Sequence, residues 1–285
     1  MISIIVVNYN GGRLLEDCLG SLGSHLRSWL EPSADPPGAE ILVVDNGSSD
    51  ASETGVSRII PRATVVALGE NRGFGYACNR GAERAGGEML LFLNPDTAAA
   101  DDFLTPLASS LAAEPSAWAA VPEVLYPDGR VQLTWGCSPS LWVEARDKLV
   151  AAAYRWRMPG TGLWARRRNR SRRFVEWGTG ACLLVRAARF REIGGFDEGF
   201  FLYFEDKDLC ARLRAAGGRI LFEPSSRILH VLGGLSGGES GARDRPLLRR
   251  IYRESQARYY RKHRGRLENL ILPILRPCPR RGEES

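Results

Sequence analysis

Glu40-Ile41-Leu42-Val43-Val44-Asp45-Asn46-Gly47-Ser48-Ser49-Asp50 joins an uninterrupted apolar run to an abrupt polar cluster. A run that does not alternate suits a strand buried on both faces, as in a parallel sheet. The same pattern repeats on either side. Upstream, a β-branched run at 2–7 ends in Asn8-Tyr9-Asn10, and residues 11–26 carry Leu14, Leu15, Cys18, Leu19, Leu22 and Leu26 at helical spacing. A Pro-rich loop is expected at 31–38. Downstream, the pattern predicts a third strand at 64–68, a helix at 74–85 and a fourth strand at 88–93 that runs into Asn94-Pro95-Asp96.

Strands alternating with helices predict an α/β fold with a mostly parallel sheet. Ligands bind such sheets at the carboxyl ends of the strands, where the clusters at 8–10, 45–50 and 94–96 converge. There is no P-loop and no G-x-G-x-x-G after the first strand, which argues against an NTPase or an ordinary NAD enzyme. The second half is less regular. A helix is expected at 101–114, strands at 119–133 around Pro127-Asp128-Gly129, a strand-like run at 175–185, a helix at 205–216, short strands at 219–222 and 227–231, and a basic amphipathic helix at 246–263. Residues 282–285 read as a tail.

The 285 residues carry a net charge of +6 that is unevenly placed. Residues 1–150 hold 10 Lys and Arg against 19 Asp and Glu (−9), and residues 151–285 hold 29 against 14 (+15). A basic half suggests an anionic partner. The run ARRRNRSRR at 165–173 invites a nucleic-acid reading, but no aromatic platform or binding motif accompanies it, and no nucleic-acid partner is expected. Six cysteines without C-x-x-C spacing give no zinc pattern and read as reduced thiols. The chain opens without a basic n-region and has no apolar run of the roughly 20 residues that span a bilayer. The expectation is a cytoplasmic protein, soluble or peripheral at the inner face of the membrane.

Five clusters carry candidate chemistry. Asp45 can accept from a base N–H or a ribose hydroxyl; the same residues also make an Asx turn that caps the next helix. Asn71 and Arg72 precede a helix and suit a phosphate, or simply a capping turn. Asp96, projected by Pro95, suits Mg²⁺ or Mn²⁺ on a diphosphate, or an N-cap. Glu205, Asp206 and Asp208 begin a helix; they complement its dipole or include a general base with its pKa raised by like charges and aromatic walls. His230 precedes a Gly-rich stretch at 233–238 and reads as a structural residue or a metal ligand.

Taken in order, VVNYN (6–10), VVDNGSSD (43–50), ENRGFGYACNRG (70–81), LFLNPD (91–96), WGTGACLLVR (177–186), GGFDEGFFLYFEDKDLC (194–210) and HVLGGLS (230–236) resemble an inverting family 2 glycosyltransferase, nearest its bacterial rhamnosyltransferase-like branch. The basic helix ending RKHRG (261–265) resembles that branch too. The resemblance implies a GT-A fold: a Rossmann-like, mostly parallel sheet flanked by helices, with an acceptor-side subregion and a C-terminal helix. Residues 1–115 would bind a nucleotide-sugar, 116–240 would form the acceptor-binding and catalytic half of the same domain, and 241–285 a basic helical extension and tail.

The resemblance also implies roles. Asn8, Tyr9, Asn10, Asp45 and Asn46 would line the nucleotide pocket, with Asn71 and Arg72 near the ribose and diphosphate. Asp96 would hold Mn²⁺ or Mg²⁺ with His230; Asn94 stands where relatives carry the first carboxylate of D-x-D. Asp206 would be the catalytic base, with Glu205 shaping its pKa or binding acceptor. Trp177, Gly178, Thr179 and Gly180 would border the acceptor sugar. The donor would be a dTDP-, UDP- or GDP-sugar, with dTDP-rhamnose favoured by the branch. The acceptor would be a glycan, a lipid-linked sugar or a small molecule, in bacterial polysaccharide or cell-wall biosynthesis. Residues 166–173 and 246–263 would then face an anionic acceptor or membrane. The competing readings are a nucleotidyltransferase, whose basic Gly-rich loop NYNGG lacks, and a catalytically degenerate sugar-nucleotide-binding module.

Overall fold

A computed structural model describes residues 1–30, 38–231 and 245–274. Most of the Pro-rich loop, the Gly-rich stretch after His230, Cys278 and the tail lie outside the described residues.

Nine strands form one sheet in the order β3-β2-β1-β4-β10-β6-β11-β5, with β8 paired to β11. The strands are β1 (Ile2–Asn8), β2 (Ala39–Asp45), β3 (Thr64–Ala67), β4 (Met89–Leu93), β5 (Thr97–Ala99), β6 (Ala117–Leu125), β8 (Arg173–Val175), β10 (Cys182–Arg186) and β11 (Arg219–His230). A separate ribbon pairs β7 (Trp135–Gly136) with β9 (Trp177–Gly178). β3, β2, β1 and β4 run parallel, and β10 is antiparallel to β4 and β6. The sheet thus takes strands from both sides of residue 115.

The first four strands run as the sequence predicts, because consecutive side chains face opposite layers. Ile4, Val6, Ile41, Val43, Leu91 and Leu93 pack with helices α1 (Gly12–His25) and α5 (Leu104–Ala113) on one side. Ile5, Val7, Leu42, Val44 and Phe92 pack on the other with α4 (Phe74–Arg84) and α9 (Glu205–Ala215). Helix α4 lies close to the sheet: a Cβ on Gly81 would stand 2.6 Å from Ile5 Cγ2 and 2.9 Å from Val44 Cγ2. The short helices α2 (Arg27–Leu30), α3 (Val56–Ile59) and α8 (Ala187–Glu192) complete these layers. A third cluster joins Phe200 and Phe204 to Tyr259, Tyr260 and Leu272 of the last two helices, Arg245–His263 and Arg266–Ile274.

The second half departs from expectation in three places. The two short strands near 219–231 are one strand, β11, with a register shift between Glu223 and Arg227 that the intervening Pro224-Ser225-Ser226 absorbs. The second strand expected before 133 is only an isolated bridge, Leu125–Val131. Between β7 and β8 lie two helices, α6 (Leu141–Arg155) and α7 (Thr161–Arg168), where the sequence offers only a basic stretch. Ser140 caps α6 by accepting from Val143 N at 3.2 Å, but of α6 only Tyr154 is buried, so no inward apolar stripe marks the helix.

Candidate active site

The register of the parallel strands assembles the first part of the site. Asn8 pairs with Asp45, and Asp45 with Ala67, so three carboxyl termini end level. Buried Asn8 donates from Nδ2 to Asp45 Oδ1 (2.9 Å) and Ser52 Oγ (2.8 Å). Asp45 also accepts from Ser48 N (3.0 Å) and Ser48 Oγ (2.5 Å). The Asx turn that the sequence allowed is therefore present, and it orients the carboxylate. Asn10 sits at φ 50°, and its side-chain oxygen accepts from Ser49 N at 2.7 Å. Tyr9 and Asn10 lie at the more open end of the cluster.

Asn46 ties this cluster to the next. It donates to Asn71 Oδ1 (3.0 Å) and Gly73 O (3.2 Å) and accepts from Arg72 N (3.2 Å). The Arg72 guanidinium lies over the Tyr76 ring at 4.0 Å and donates to Tyr76 Oη at 3.0 Å, with half its side chain in solvent. Gly73 takes φ +97°, and Phe74 N donates to Phe201 O at 3.0 Å. The Asn71-Arg72 turn thus rests on the backbone of the loop that leads to Glu205 and Asp206.

That loop is strained. Tyr203 and Phe204 have φ of 68° and 67°, a region that costs a side-chain-bearing residue about 1–3 kcal/mol each. The strain turns the chain into α9 so that Asp206 faces the Trp177–Ala181 segment. Asp206 Oδ2 accepts from Gly180 N (3.1 Å), and Oδ1 from Lys207 N (2.7 Å). The next residue, Ala181, accepts from Asn94 N at 3.0 Å. A short chain of hydrogen bonds therefore runs from Asp206 through Gly180 and Ala181 to the Asn94-Pro95-Asp96 turn. Trp177 and Gly178 form β9, Thr179 N donates to Thr134 O (2.9 Å), and Lys207 Nζ lies 4.6 Å above the Trp177 ring.

Glu205 turns the other way. It is 6% exposed, and its Oε2 has no hydrogen-bond partner. Burial, with the Asp206 charge adding to it, pushes the Glu205 carboxyl up to about 8. It is therefore a neutral carboxylic acid in the interior at physiological pH.

Asp96 and His230, 134 residues apart, meet with Oδ1 and Nε2 at 3.1 Å. Strand β11 brings them together by pairing His230 with Thr97. The sequence gives no signal for the third member, Gln132. Gln132 Nε2 donates to His230 O (2.7 Å), which leaves Oε1 facing His230 Nδ1 at 3.1 Å. With Nδ1 donating to Gln132 Oε1, Nε2 faces the Asp96 carboxylate as an acceptor. Two acceptors so placed suit a shared cation or a second ring proton. Neighbouring ligands of an octahedral ion with bonds of about 2.1 Å are about 3.0 Å apart, so the spacing fits a divalent metal. Among the described residues no group of three His, Cys, Asp or Glu could hold a metal, so this pair offers two ligands and leaves the rest to substrate and water.

The basic helix Arg245–His263 pairs Arg258, Lys262 and His263 with carboxylates elsewhere in the chain. Arg258 and Lys262 pair with Asp197 at 2.8 Å each, and Lys262 and His263 with buried Asp208 at 2.7 Å each. These three residues clamp the helix to α9 and to the loop before it.

The open α/β sheet gathers polar clusters at the carboxyl ends of its parallel strands, and the first turn of α9 brings Asp206 against the Gly180 backbone beside them. The chain belongs to glycosyl transferase family 2, whose model matches residues 3–207. It is 31% identical over 242 residues to N-acetylglucosaminyl-diphospho-decaprenol L-rhamnosyltransferase of Mycobacterium tuberculosis, covering 81% of this chain and 76% of that protein. Its fold is similar to that of Staphylococcus aureus TarS in complex with UDP-GlcNAc (TM-score 0.61, 17% identity, 95% of this chain and 69% of that one). It is also similar to the mannosyltransferase PcManGT from Pyrobaculum calidifontis in complex with GDP-Man and Mn²⁺ (TM-score 0.59, 19% identity, 96% and 67%). The protein is a glycosyltransferase with the GT-A fold, which sets aside the nucleotidyltransferase and binding-module readings.

Proposed function

We propose that the protein moves rhamnose from dTDP-rhamnose to a hydroxyl of a sugar carried on a polyprenyl diphosphate, with inversion at the transferred carbon. The relative's activity and its 31% identity support this donor and acceptor class. The hydrogen-bonded path Asp206–Gly180–Ala181–Asn94 carries the mechanistic reading, because it links a positioned carboxylate to the turn that ends in Asp96.

Asp206 takes the proton of the acceptor hydroxyl. Its two accepted backbone hydrogen bonds fix the carboxylate and leave lone pairs for that proton. The hydroxyl oxygen attacks the anomeric carbon opposite the diphosphate, a new C–O bond forms, and the bond to the diphosphate oxygen breaks. Asn8, Tyr9, Asn10, Asp45 and Asn46 bind the nucleoside, Asn46 holds the Arg72 backbone, and Asn71 and Arg72 lie near the ribose and diphosphate. Trp177, Gly178, Thr179 and Gly180 border the acceptor. Neutral Glu205 seals the interior beneath Asp206. Asp96 and His230 would hold Mn²⁺ or Mg²⁺, which offsets charge on the departing diphosphate.

The test is release of dTDP, UDP or GDP from the matching rhamnose, glucose and mannose donors, with a soluble diphosphate-linked N-acetylglucosamine acceptor. Acceptor-dependent release from dTDP-rhamnose alone is expected, and preference for another donor refutes the donor reading. Asp96→Ala should abolish the Mn²⁺ dependence of dTDP binding in calorimetry. Unchanged dependence removes the metal role.

A further inference from the structure

Helices α6 and α7 turn their apolar residues outward. Trp142, Leu149 and Trp156 are 80%, 73% and 77% exposed. They are spaced two helical turns apart, so they line one face over about 21 Å at 1.5 Å per residue. Exposed Leu163 and Trp164 continue the surface on α7. The final helix adds Leu267, Leu270 and Ile274 at i, i+3 and i+7, all exposed. Leu141 N donates to Glu268 Oε1 at 3.1 Å and so joins that helix to the first turn of α6.

Charge identifies the occupant. Residues 141–173 hold ten Lys and Arg against Glu144 and Asp147, a surplus of +8 that exceeds the +6 of the whole chain. Apolar residues on this scale are rare on the surface of a monomer. Tryptophan interleaved with arginine on exposed helices matches the boundary between lipid headgroups and acyl chains, where the rings enter and the guanidinium groups meet phosphate. We infer that α6, α7 and the helix Arg266–Ile274 form a docking surface for an anionic lipid bilayer.

The surface is joined to the acceptor side. The α6–α7 segment leaves from β7, which pairs with β9 at Trp177 and Gly178. The Arg168 guanidinium lies 3.9 Å above the Trp135 ring of β7 and 5.5 Å from the Trp164 ring. A docked enzyme would present its acceptor strand to a sugar held at the membrane. Among the described residues no helix is long and apolar enough to cross a membrane, so the contact is peripheral.

The experiment is co-sedimentation of the full chain with vesicles of equimolar phosphatidylcholine and phosphatidylglycerol, and with phosphatidylcholine alone. The wild type should pellet with the anionic vesicles and remain in the supernatant with the neutral ones. Trp142→Ser/Leu149→Ser/Trp156→Ser should lower partitioning at least tenfold without lowering Tm, because these side chains are in solvent. Arg166→Ala/Arg167→Ala should lower it about 25-fold, at about fivefold per cation. The proposal falls if the wild type ignores anionic vesicles, or if the triple variant binds them as well as the wild type does. It also falls if the triple substitution only dissociates a dimer, seen by sedimentation velocity without vesicle binding. No substrate enters the readout, so failure here leaves the donor and acceptor reading intact.

Discussion

Gly73 joins the Asn71-Arg72 turn to the loop that leads to Asp206, and replacing it with alanine should damage both stability and turnover. Its φ of +97° is a conformation L residues rarely adopt, and a Cβ there would stand 2.4 Å from Phe201 O and 2.8 Å from Phe201 Cα. Both are backbone atoms, so no side chain can swing aside. Gly69 is the control: its φ is +78°, but nothing lies within 4 Å of a Cβ at that position. Gly69→Ala should cost about 1–2 kcal/mol from the dihedral alone. Gly73→Ala adds an overpacking cost of about 1–3 kcal/mol, for a total of about 2–5 kcal/mol. At about 2–4 °C per kcal/mol, Tm should fall by about 2–8 °C for Gly69→Ala and about 4–20 °C for Gly73→Ala. The displaced Phe201 backbone leads within five residues to Asp206, and a 1 Å misplacement of a reacting group costs about a hundredfold in rate. Calorimetry and nucleoside diphosphate release, run on both variants, decide the matter. Equal Tm losses and equal turnover in the two variants would refute the coupling between turn and loop.

Other substitutions probe separate parts of the structure. Asp208→Asn leaves Arg212, Lys262 and His263 without their shared anion and should cost about 3–5 kcal/mol, measured by urea denaturation at pH 7. Burial opposes ionisation of Asp208, but the His263 bond and the charge of Arg212 hold its carboxyl below the usual range. Its contribution is present above the ordinary carboxylate pKa and lost as pH falls through the lowered value, so the variant should show a shallower acid loss of stability than the wild type. Glu205 has the opposite sign: its folded pKa is raised to about 8, so stability falls as pH rises from the ordinary carboxylate pKa through 8. Glu205→Gln should flatten that limb of a Tm-against-pH curve, and an unchanged slope would mean another group titrates there. Gly178→Ala brings a Cβ within 2.5 Å of Val121 Cγ1 and should raise the acceptor KM more than the donor KM.

The first half of the fold was legible because each of β1, β2 and β4 is buried on both faces and ends in a polar cluster. Local pattern and tertiary environment agree there. The motif set also singled out Asp45 and His230, which close strands, Asp96, which stands just before β5, and Asp206, in the first turn of α9. Gln132 was not legible, because its role exists only once β6 and β11 pair and bring His230 alongside. Helix α6 escaped for a related reason: its apolar face points to solvent, so its pattern does not report a core. Part of the charge on the helix Arg245–His263 pairs with Asp197 and Asp208, more than fifty residues away, a use that a count of basic residues does not show. Glu205 and Asp206 are adjacent and alike in sequence, yet the turn at Tyr203 and Phe204 sends one into the core and the other toward Gly180.

The central claim is that Asp206 takes the acceptor proton. Acceptor-dependent nucleoside diphosphate release by Asp206→Asn, measured beside dTDP binding by the same variant, tests it most directly. The account predicts normal folding and dTDP affinity with turnover reduced about 10²–10⁴-fold. Turnover within a few-fold of the wild type would contradict it.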